Sequence, residues 1–335
     1  MMLEPDSDPM PKPSADLAVS EQAQAAMRAG VAQNTTRAYT RNWRRFELWC
    51  RTGSTEPDET SAAWSARKSI PATPQTLLEY VTYLIMAGRA PSTIEQAVAA
   101  IRTRHRVAGF KGEPDTEQAR LALRGHRRER AQAGVRPRKS PPITISVLQQ
   151  LLESCDPETL AGKRDKALLV LGYALYSRRS ELSGLWIEDV ERTEQGLMIL
   201  IRTSKTDRES EGQHVPVKAG RHPDTDPVAI LEDWLAALSA RGVSSGRLLR
   251  AVTRHGTLHP AGAMSGAAIN ERVRVLGHRA GVRGAEQLTA HGLRSGPAST
   301  AAKRGAPVSA IAEQGRWSST SPVVYGYVRD RKSVV

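Results

Sequence analysis

The sequence predicts a two-domain protein that is mainly α-helical and has a small antiparallel β-sheet in its second domain. Apolar residues recur at spacings of three or four along most of the chain, which is typical of amphipathic helices. Two short aliphatic runs, residues 197–202 and 214–217, are typical of paired strands. A basic segment with prolines separates the two halves, and 335 residues suffice for two domains of ordinary size.

Shifts in composition along the chain indicate its domain organisation. Residues 1–20 contain four prolines and four acidic residues but few large apolar groups, which predicts a disordered tail. Residues 21–133 are expected to form a helical domain, and residues 134–142 a basic linker that ends in two prolines. Residues 143–335 are expected to form the second domain.

Helices of the first domain are predicted from apolar spacing and cap residues. The first has four aromatic residues between positions 39 and 49, at spacings of four, three and three. The second starts at Thr73 and Pro74, the third starts at Ser92, and a further helix is expected around residues 115–131.

In the second domain a capped helix is predicted after Thr144, followed by helices at about 164–176 and 179–185. The two strand-like runs are expected to pair as a hairpin, with Lys205 at the start of their polar loop. Further helix starts are indicated at Asp226-Pro227, Ser265 and Ser321-Pro322.

The charge of the chain indicates a polyanionic partner. There are 48 lysines and arginines against 35 acidic residues, a formal net charge of +13. DNA is the default candidate, and scattered surface charge is the plainer alternative. The run 124–139 has seven basic residues and one acidic residue, and we interpret it as an interdomain hinge across a DNA backbone. The predicted DNA contacts are Arg37, Arg41, Arg44, Arg102, Arg104, Arg106, Arg127, Arg128, Arg136, Arg138 and Lys139.

Other features argue against several classes of protein. Cys50 and Cys155 are isolated and lack metal-ligand spacing, so reduced thiols in a cytoplasmic protein are expected. The longest apolar run, residues 167–175, is too short to cross a bilayer. His255 and His259 are accompanied by a glycine and a proline that break helices, so a turn is favoured over a zinc site. A phosphate-binding loop for ATP is missing from the sequence.

One motif suits a phosphate group. Thr289 is a good helix N-cap, which puts His291 and Arg294 on one face of the first two turns. The N-terminal N–H groups and the helix dipole favour an anion there, although such a His/Arg pair also occurs by chance. Gly296 and Pro297 follow within the same helix and put its straightness in question.

A second motif follows an apolar helix. Arg178 and Arg179 stand at its end, and Glu181 begins a helix that must pack straight back into the core. This packing predicts that one arginine is drawn inward, where only an anion or a carboxylate would justify its burial. A solvated arginine at a helix C-terminus is the ordinary alternative.

With Lys205 on the hairpin, and with Trp317 and a tyrosine near the end of the chain, these motifs resemble the catalytic set of the tyrosine recombinases, or phage integrases. Each motif alone is weak, but five in this order across a basic chain are specific, and the resemblance spans about residues 34–329. It implies a two-domain DNA clamp with a helical core-binding (SAM-like) domain ahead of the catalytic domain. The implied catalytic residues are Arg178, Glu181, Lys205, His291, Arg294, Trp317 and Tyr327.

The chemistry explains why these residue types belong together. Cleavage of a phosphodiester without a metal ion requires a protein nucleophile, and a covalent phosphotyrosine conserves the bond energy for rejoining. Negative charge grows on the non-bridging oxygens in the transition state, so Arg178 and Arg294 are suited to hold them bidentately.

The remaining roles come from the resemblance alone. It implies that His291 is a general acid or base and that Lys205 protonates the departing 5′ oxygen. It also implies that Glu181 is a supporting carboxylate and that Trp317 offers its indole N–H to the phosphate.

The choice of nucleophile needs a separate argument, because the usual position, nine residues after Trp317, is Gly326. Tyr325 and Tyr327 flank it, and in a helix starting at Pro322 they face opposite ways, since two residues turn by about 200°. The apolar docking face is predicted to hold Val323, Val324, Tyr327 and Val328. Tyr327 is the predicted nucleophile because it lies on this face, whereas Tyr325 lies opposite.

The sequence thus predicts a site-specific recombinase of a mobile element, acting through a 3′-phosphotyrosyl intermediate and a Holliday junction. The expected partner is double-stranded DNA, bound by a homotetramer in the cytoplasm. No membrane association and no metal or nucleotide cofactor are expected. Two alternatives stay open. One is an enzyme resembling type IB topoisomerases, which work as monomers, and the other is a catalytically inactive DNA-binding regulator on the same fold.

Overall fold

The computed structural model describes residues 20, 22, 30, 33–56, 64–136, 139–204, 207, 211–318 and 321–329, with the backbone alone at 33, 34, 261 and 327–329. Apart from Ser20, the predicted tail lies outside the described residues. The chain divides into two compact units, Met1–Pro137 and Arg138–Val335. The division falls inside the segment predicted as the linker, and each unit has its own hydrophobic core.

In the described part of the first unit, helices pack around a core rich in aromatic side chains. The Phe46 and Trp49 rings lie 5.0 and 5.1 Å from the Tyr80 ring, between centroids. Trp43, Phe46 and Trp49 are buried together because their spacing puts them on one helix face. The helices are α1 (Gln33–Thr52), α2 (Pro74–Met86), α3 (Pro91–Val107) and α4 (Glu117–Gln132).

The interpretation of the basic run 124–139 as a hinge is wrong for its first part. Residues 124–132 are the last turns of α4, which buries Leu123 and His126. The His126 Nε2 atom also lies 3.0 Å from the Arg89 carbonyl oxygen, in a hydrogen bond between α4 and the turn after α2. The helix predicted around residues 115–131 is confirmed here, and the apolar stripe of α4 keeps this segment helical.

The second unit is mainly helical, as predicted. Its helices are α5 (Ile145–Glu153), α6 (Leu160–Ala174), α7 (Arg179–Gly184), α8 (Pro227–Ser239), α9 (Gly266–Arg279), α10 (Ala290–Lys303), α11 (Val308–Gly315) and α12 (Pro322–Arg329). α6 is the central helix, with ten of its 15 residues buried. The caps predicted at Thr144, Asp226 and Ser265 are confirmed, since each side chain accepts a first-turn N–H. Within the described ranges, no helix combines the length and the apolar character needed to cross a membrane.

The predicted hairpin is confirmed, but it is not the whole β-structure. Strands β1 (Val190–Thr193), β2 (Gly196–Ile201) and β3 (Gln213–Lys218) form an antiparallel sheet in that order. A second sheet pairs β4 (Arg250–Val252) with β5 (Leu258–Ala263), so the expectation of a single sheet is wrong. β1 and β4 have only four and three residues and no apolar alternation, which left the sequence without a strand signal. His255 lies in the turn between β4 and β5, and His259 lies in β5.

The segment that enters the second unit runs along α10. The Ile143 N–H donates to the Gly292 carbonyl oxygen at 3.0 Å, and the Thr289 N–H donates to Ser140 Oγ at 3.1 Å. A Cβ atom on Gly296 would lie 1.8 Å from the Ile143 carbonyl oxygen. Only glycine therefore permits this close approach, which positions the start of α10.

Pro297 lies inside α10 without ending it. The helix continues to Lys303 with Pro297 buried, although proline lacks the N–H that bonds to the residue four positions earlier. The Tyr176 hydroxyl donates to the Pro297 carbonyl oxygen at 3.4 Å. Burial and contacts with the rest of the unit thus maintain the helix across this residue.

Substitution of Gly296 by alanine tests the packing of the entry segment. We expect Gly296→Ala to lower the free energy of unfolding by about 1–3 kcal/mol, because the new methyl group must displace the Ile143 backbone. Gly125→Ala is the matched control: nothing lies within 4 Å of its added Cβ in α4, so a gain of about 1 kcal/mol is expected. Differential scanning calorimetry measures both, and equal effects of the two variants would contradict the packing argument.

Candidate active site

Arg178 is the N-cap residue of α7 and points into the unit. Its Nη1 atom donates to Glu181 Oε1 at 2.6 Å and to Ser204 Oγ at 2.8 Å. The Arg178 backbone N–H donates to Glu181 Oε2 at 2.9 Å, which completes a capping box. The side chains of Arg178 and Glu181 are 18% and 1% exposed. Arg179 is exposed, so Arg178 is the inward arginine, and the carboxylate of Glu181 compensates its burial.

Glu181 is shared by a second arginine. The Arg316 Nη2 atom donates to Glu181 Oε2 at 2.6 Å, and Ser204 Oγ donates to Oε1 at 3.0 Å. Burial by itself raises the pKa of Glu181. Arg316, the backbone N–H of Arg178 and the Arg178 charge lower the pKa by more than burial raises it. The pKa of Glu181 is therefore below its ordinary value. Glu181 is therefore ionised at neutral pH.

Arg294, on the second turn of α10, is buried against backbone carbonyls. Its Nη1 atom donates to the Tyr176 oxygen and its Nη2 atom to the Gly315 oxygen, both at 2.5 Å. Its guanidinium carbon lies 3.9 Å from the centre of the Trp317 ring, within the range of a cation–π contact. Two of the four Nη hydrogens thus donate to backbone carbonyls. The sequence-based expectation was that Arg294 binds a phosphate, and it did not include these two hydrogen bonds.

Two residues with side chains adopt the left-handed conformation around Arg294. They are Tyr176, with φ of 49°, and Arg316, with φ of 55°. The Trp317 ring folds back over Gly315, where an added Cβ would lie 1.8 Å from a ring carbon. Tyr176 meets Trp317 edge to face at 6.4 Å, and burial raises the pKa of Tyr176 to about 12. These turns orient two carbonyls and one indole ring towards the same guanidinium.

His291 lies in the first turn of α10, where the Thr289 side chain accepts its backbone N–H at 3.2 Å, as predicted for an N-cap. The residue is exposed in part. Partial desolvation, followed by the charges of Arg294 and Arg178, lowers the pKa of His291 below its ordinary value of 6.5. The neutral imidazole is therefore the main form at neutral pH.

A depression of about 360 Å³ lies beside this cluster, and it is bordered by Ser204, Arg316 and Trp317. Lys205 directly follows Ser204 but lies outside the described residues. Within the described ranges, no group of three or more His, Cys, Asp or Glu side chains could hold a metal ion. Asp207 and Glu211 also border the depression, so its described lining carries charges of both signs.

α12 begins at Pro322, as predicted, and its buried face is narrower than expected. Val324 is fully buried and Tyr325 is 46% exposed, in agreement with the face assignment. Val323 is 50% exposed, so its prediction as a docking residue is wrong. Helices α10 and α11 cover Val324, which belongs to a small buried cluster with Ala298, Ala302, Ile311 and Ala312, whereas Val323 is not part of that cluster. Tyr327 lies on α12, but its side chain is outside the described residues.

Three residues of this cluster were not predicted from the sequence: Tyr176, Ser204 and Arg316. Ser204 and Arg316 adjoin the predicted Lys205 and Trp317, and Tyr176 lies two residues before Arg178. The only local signal was the Gly315-Arg316-Trp317 triplet, since glycine beside a large ring marks a close approach. Hydrogen bonds between distant segments, such as that of Ser204 with Arg178, leave no trace in residue spacing.

The first unit has its own basic face. Arg37, Arg41, Arg44 and Arg45 are exposed on α1 and border a depression of about 490 Å³. Spacings of four, three and one put them along one side of the helix, opposite the aromatic core. The other predicted contacts in this unit also reach solvent to different degrees. Arg102 is partly buried, whereas Arg104, Arg106, Arg127, Arg128 and Arg136 are exposed.

Two details modify these expectations. Arg104 lies over the Trp43 ring at 5.8 Å, and Arg127 forms an ion pair with Glu95 that neutralises part of its charge. Lys139, which the division of the chain assigns to the second unit, is exposed, and Arg138 lies outside the described residues. Arg127 is therefore a weaker candidate for a DNA contact than the arginines of α1.

Comparison with known proteins identifies the relatives of the chain. Residues 142–333, more than half of the chain, match the phage integrase family. The chain is 30% identical to the integrase/recombinase xerD homolog of Selenomonas ruminantium over 239 residues, 70% of this chain and 64% of that protein. It is 25% identical to the recombinase Cre of Escherichia phage P1 over 289 residues, 81% of each. The match thus spans slightly less than two thirds of the first relative.

Solved structures of low sequence identity have the same fold. A lambda integrase dimer bound to a COC′ core site gives a TM-score of 0.56 at 12% identity, covering 93% of this chain and 94% of that chain. The Tn1549 transposon integrase with circular intermediate DNA also gives 0.56, at 14% identity, covering 91% and 92%. The match of residues 142–333, with the 30% identity to the xerD homolog over 70% of the chain, shows that the chain belongs to the phage integrase family of tyrosine recombinases.

Proposed function

We propose that this protein is a site-specific DNA recombinase that cuts and rejoins strands through a 3′-phosphotyrosyl intermediate. The observation that carries the proposal is that Arg178 and Glu181 of α7 and Arg294 of α10 converge. They meet at the turns of Tyr176 and Arg316, where Arg294 donates to the Tyr176 carbonyl and Glu181 accepts from Arg316. The names of the relatives, which include recombinases and integrases, support the same activity. The domain roles follow: residues 21–133 bind DNA and residues 143–335 carry the chemistry.

The arginines supply the electrostatic part of the reaction. A phosphodiester under attack gains negative charge on its non-bridging oxygens, and fixed guanidinium groups stabilise that charge without reorganisation. Arg178 is held by Glu181 and Ser204, and Arg294 by two carbonyls and an indole ring. Both are therefore ordered before DNA binds, as a guanidinium group that donates to a phosphate oxygen requires.

Proton transfers complete the proposed step. The Tyr327 oxygen attacks phosphorus and forms the 3′-phosphotyrosyl bond, and the bond from phosphorus to the 5′ oxygen breaks. His291 accepts the phenolic proton, which suits an imidazole whose pKa is lowered and which is neutral at physiological pH. Lys205 donates a proton to the departing 5′ oxygen, and the reverse transfers rejoin the strand to a new 5′ end.

The proposed partner is double-stranded DNA, bound by four copies of the chain in the cytoplasm. Among the solved structures is a lambda integrase tetramer bound to a Holliday junction, with a TM-score of 0.55 at 13% identity. The net charge of +13 and the arginines of α1 support a DNA backbone as the ligand of the first unit. The residues carry the reaction without a metal ion or a nucleotide cofactor.

The identity of the nucleophile is tested by two phenylalanine variants. Tyr327→Phe should abolish the covalent protein–DNA adduct, because the attacking oxygen is lost. Tyr325→Phe is the matched control and should retain the adduct, since this side chain is half-exposed on the other side of α12. Adducts are trapped on a nicked duplex, selected from a random-sequence pool with the parent protein, and peptide mapping locates the phosphate. A phosphate on Tyr325 would overturn the assignment.

Lysine substitutions test the role of the arginine fork. Arg178→Lys and Arg294→Lys should each slow adduct formation by about 10²–10³-fold, the usual cost of losing one transition-state donor. DNA affinity should change little, because lysine retains the charge but not the bidentate geometry. Arg179→Lys, next to Arg178 but exposed, is the control and should cleave at the parental rate. Parental rates for Arg178→Lys or Arg294→Lys would remove that arginine from the site.

The basic face of α1 is tested by the salt dependence of binding. Neutralising Arg37, Arg41 and Arg44 with glutamine should flatten the slope of log K against log salt by about 0.9 for each phosphate that the protein no longer neutralises. A triple variant at Arg241, Arg254 and Arg283, exposed in the second unit, makes the same change in net charge and should leave the slope nearly unchanged. Equal slopes for the two triple variants would mean that only net charge matters.

A further inference from the structure

Arg316 is a buried arginine that the proposed chemistry does not use. Its side chain is 2% exposed, and its backbone is left-handed, with φ of 55° and ψ of 46°, at the end of α11. Helices commonly end in this conformation on glycine, because a Cβ atom is disfavoured there. An arginine in this position indicates that its side chain has a role worth the conformational cost.

The contacts of Arg316 lead directly to the candidate active site. Its Nη2 atom donates to Glu181 Oε2 at 2.6 Å, and its Nη1 atom donates to the Gln314 carbonyl oxygen at 3.1 Å. The other oxygen of Glu181, Oε1, accepts from Arg178 and from Ser204. Arg316 and Arg178 therefore occupy opposite oxygens of one carboxylate.

The charge balance of this cluster explains why two arginines are present. One carboxylate between two guanidinium groups has a net charge of +1. If Arg178 alone faced Glu181, the carboxylate would cancel its charge and weaken its attraction for a phosphate. With Arg316 bound to Glu181, the carboxylate can hold the Arg178 fork in place while the cluster stays positive.

We propose that Arg316 is a positioning residue for strand cleavage, which holds Glu181 so that Arg178 stays oriented and the cluster stays positive towards the scissile phosphate. The inference rests on the proposed recombinase function. Arg316 acts through Glu181 and does not contact the phosphate, since its side chain is almost fully buried. Loss of its charge should therefore be compensated by loss of the charge of Glu181.

Charge-compensating variants test this role. Single-turnover adduct formation is measured on the selected nicked duplex with saturating full-length protein, well below the unfolding temperature, where reduced stability alone does not change the rate.

Arg316→Met should slow adduct formation by about 10- to 100-fold, with DNA affinity nearly unchanged. This is the loss typical of residues that orient a functional side chain from behind, as the outer partners of metal ligands do. Adding Glu181→Gln to Arg316→Met should restore part of the rate, and Arg316→Lys should retain more of it than Arg316→Met. Arg304→Met, an exposed control, should cleave at the parental rate.

The outcomes separate this inference from the proposed function. Absence of an adduct with the parent protein would refute the recombinase itself. A parental adduct with an unchanged rate in Arg316→Met would refute the positioning role alone. A double variant as slow as Arg316→Met, although folded by circular dichroism, would also overturn it, because Arg316 would then act on the phosphate directly.

Discussion

A single buried carboxylate, that of Glu181, holds the candidate active site together. It connects the N-terminus of α7, the start of the loop after β2 and the turn after α11, through Arg178, Ser204 and Arg316. A buried carboxylate is costly unless charged donors surround it, and removal of any one partner leaves a charge without compensation. The three segments are therefore held in one arrangement, and the surplus positive charge makes a phosphate the natural ligand.

Backbone constraints determine where the second guanidinium lies. Tyr176 and Arg316 both adopt the left-handed conformation, which costs about 1–3 kcal/mol at each residue and persists only where the surroundings require it. These turns aim the carbonyls of Tyr176 and Gly315 at Arg294, and the turn at Arg316 folds the Trp317 ring over it. Local strain is thus retained where it orders Arg294, which is a catalytic group in the proposed function.

The two units have different features: the first presents a basic surface, and the second holds the candidate active site. The first unit surrounds an aromatic core with helices, and α1 presents arginines at helical spacing on its opposite side. In the proposed function this surface binds the backbone of DNA irrespective of sequence, and it contributes affinity and salt dependence. The second unit holds the few side chains that require exact geometry, on helices packed against the central α6. Affinity and chemistry can therefore be changed separately by mutation.

The sequence by itself determined the fold class, the confirmed caps and hairpin, and an order of motifs that resembles the family, because these depend on periodicity and on residue type. It also indicated that one of the two arginines, Arg178 or Arg179, would turn inward towards an anion or a carboxylate, and the structure shows that it is Arg178. Only the tertiary structure decided the exposure of Val323 and the position of Arg316. These depend on which neighbour covers a surface and on hydrogen bonds between segments more than 100 residues apart, such as Glu181 and Arg316 at a separation of 135. Residue spacing contains no information on such contacts.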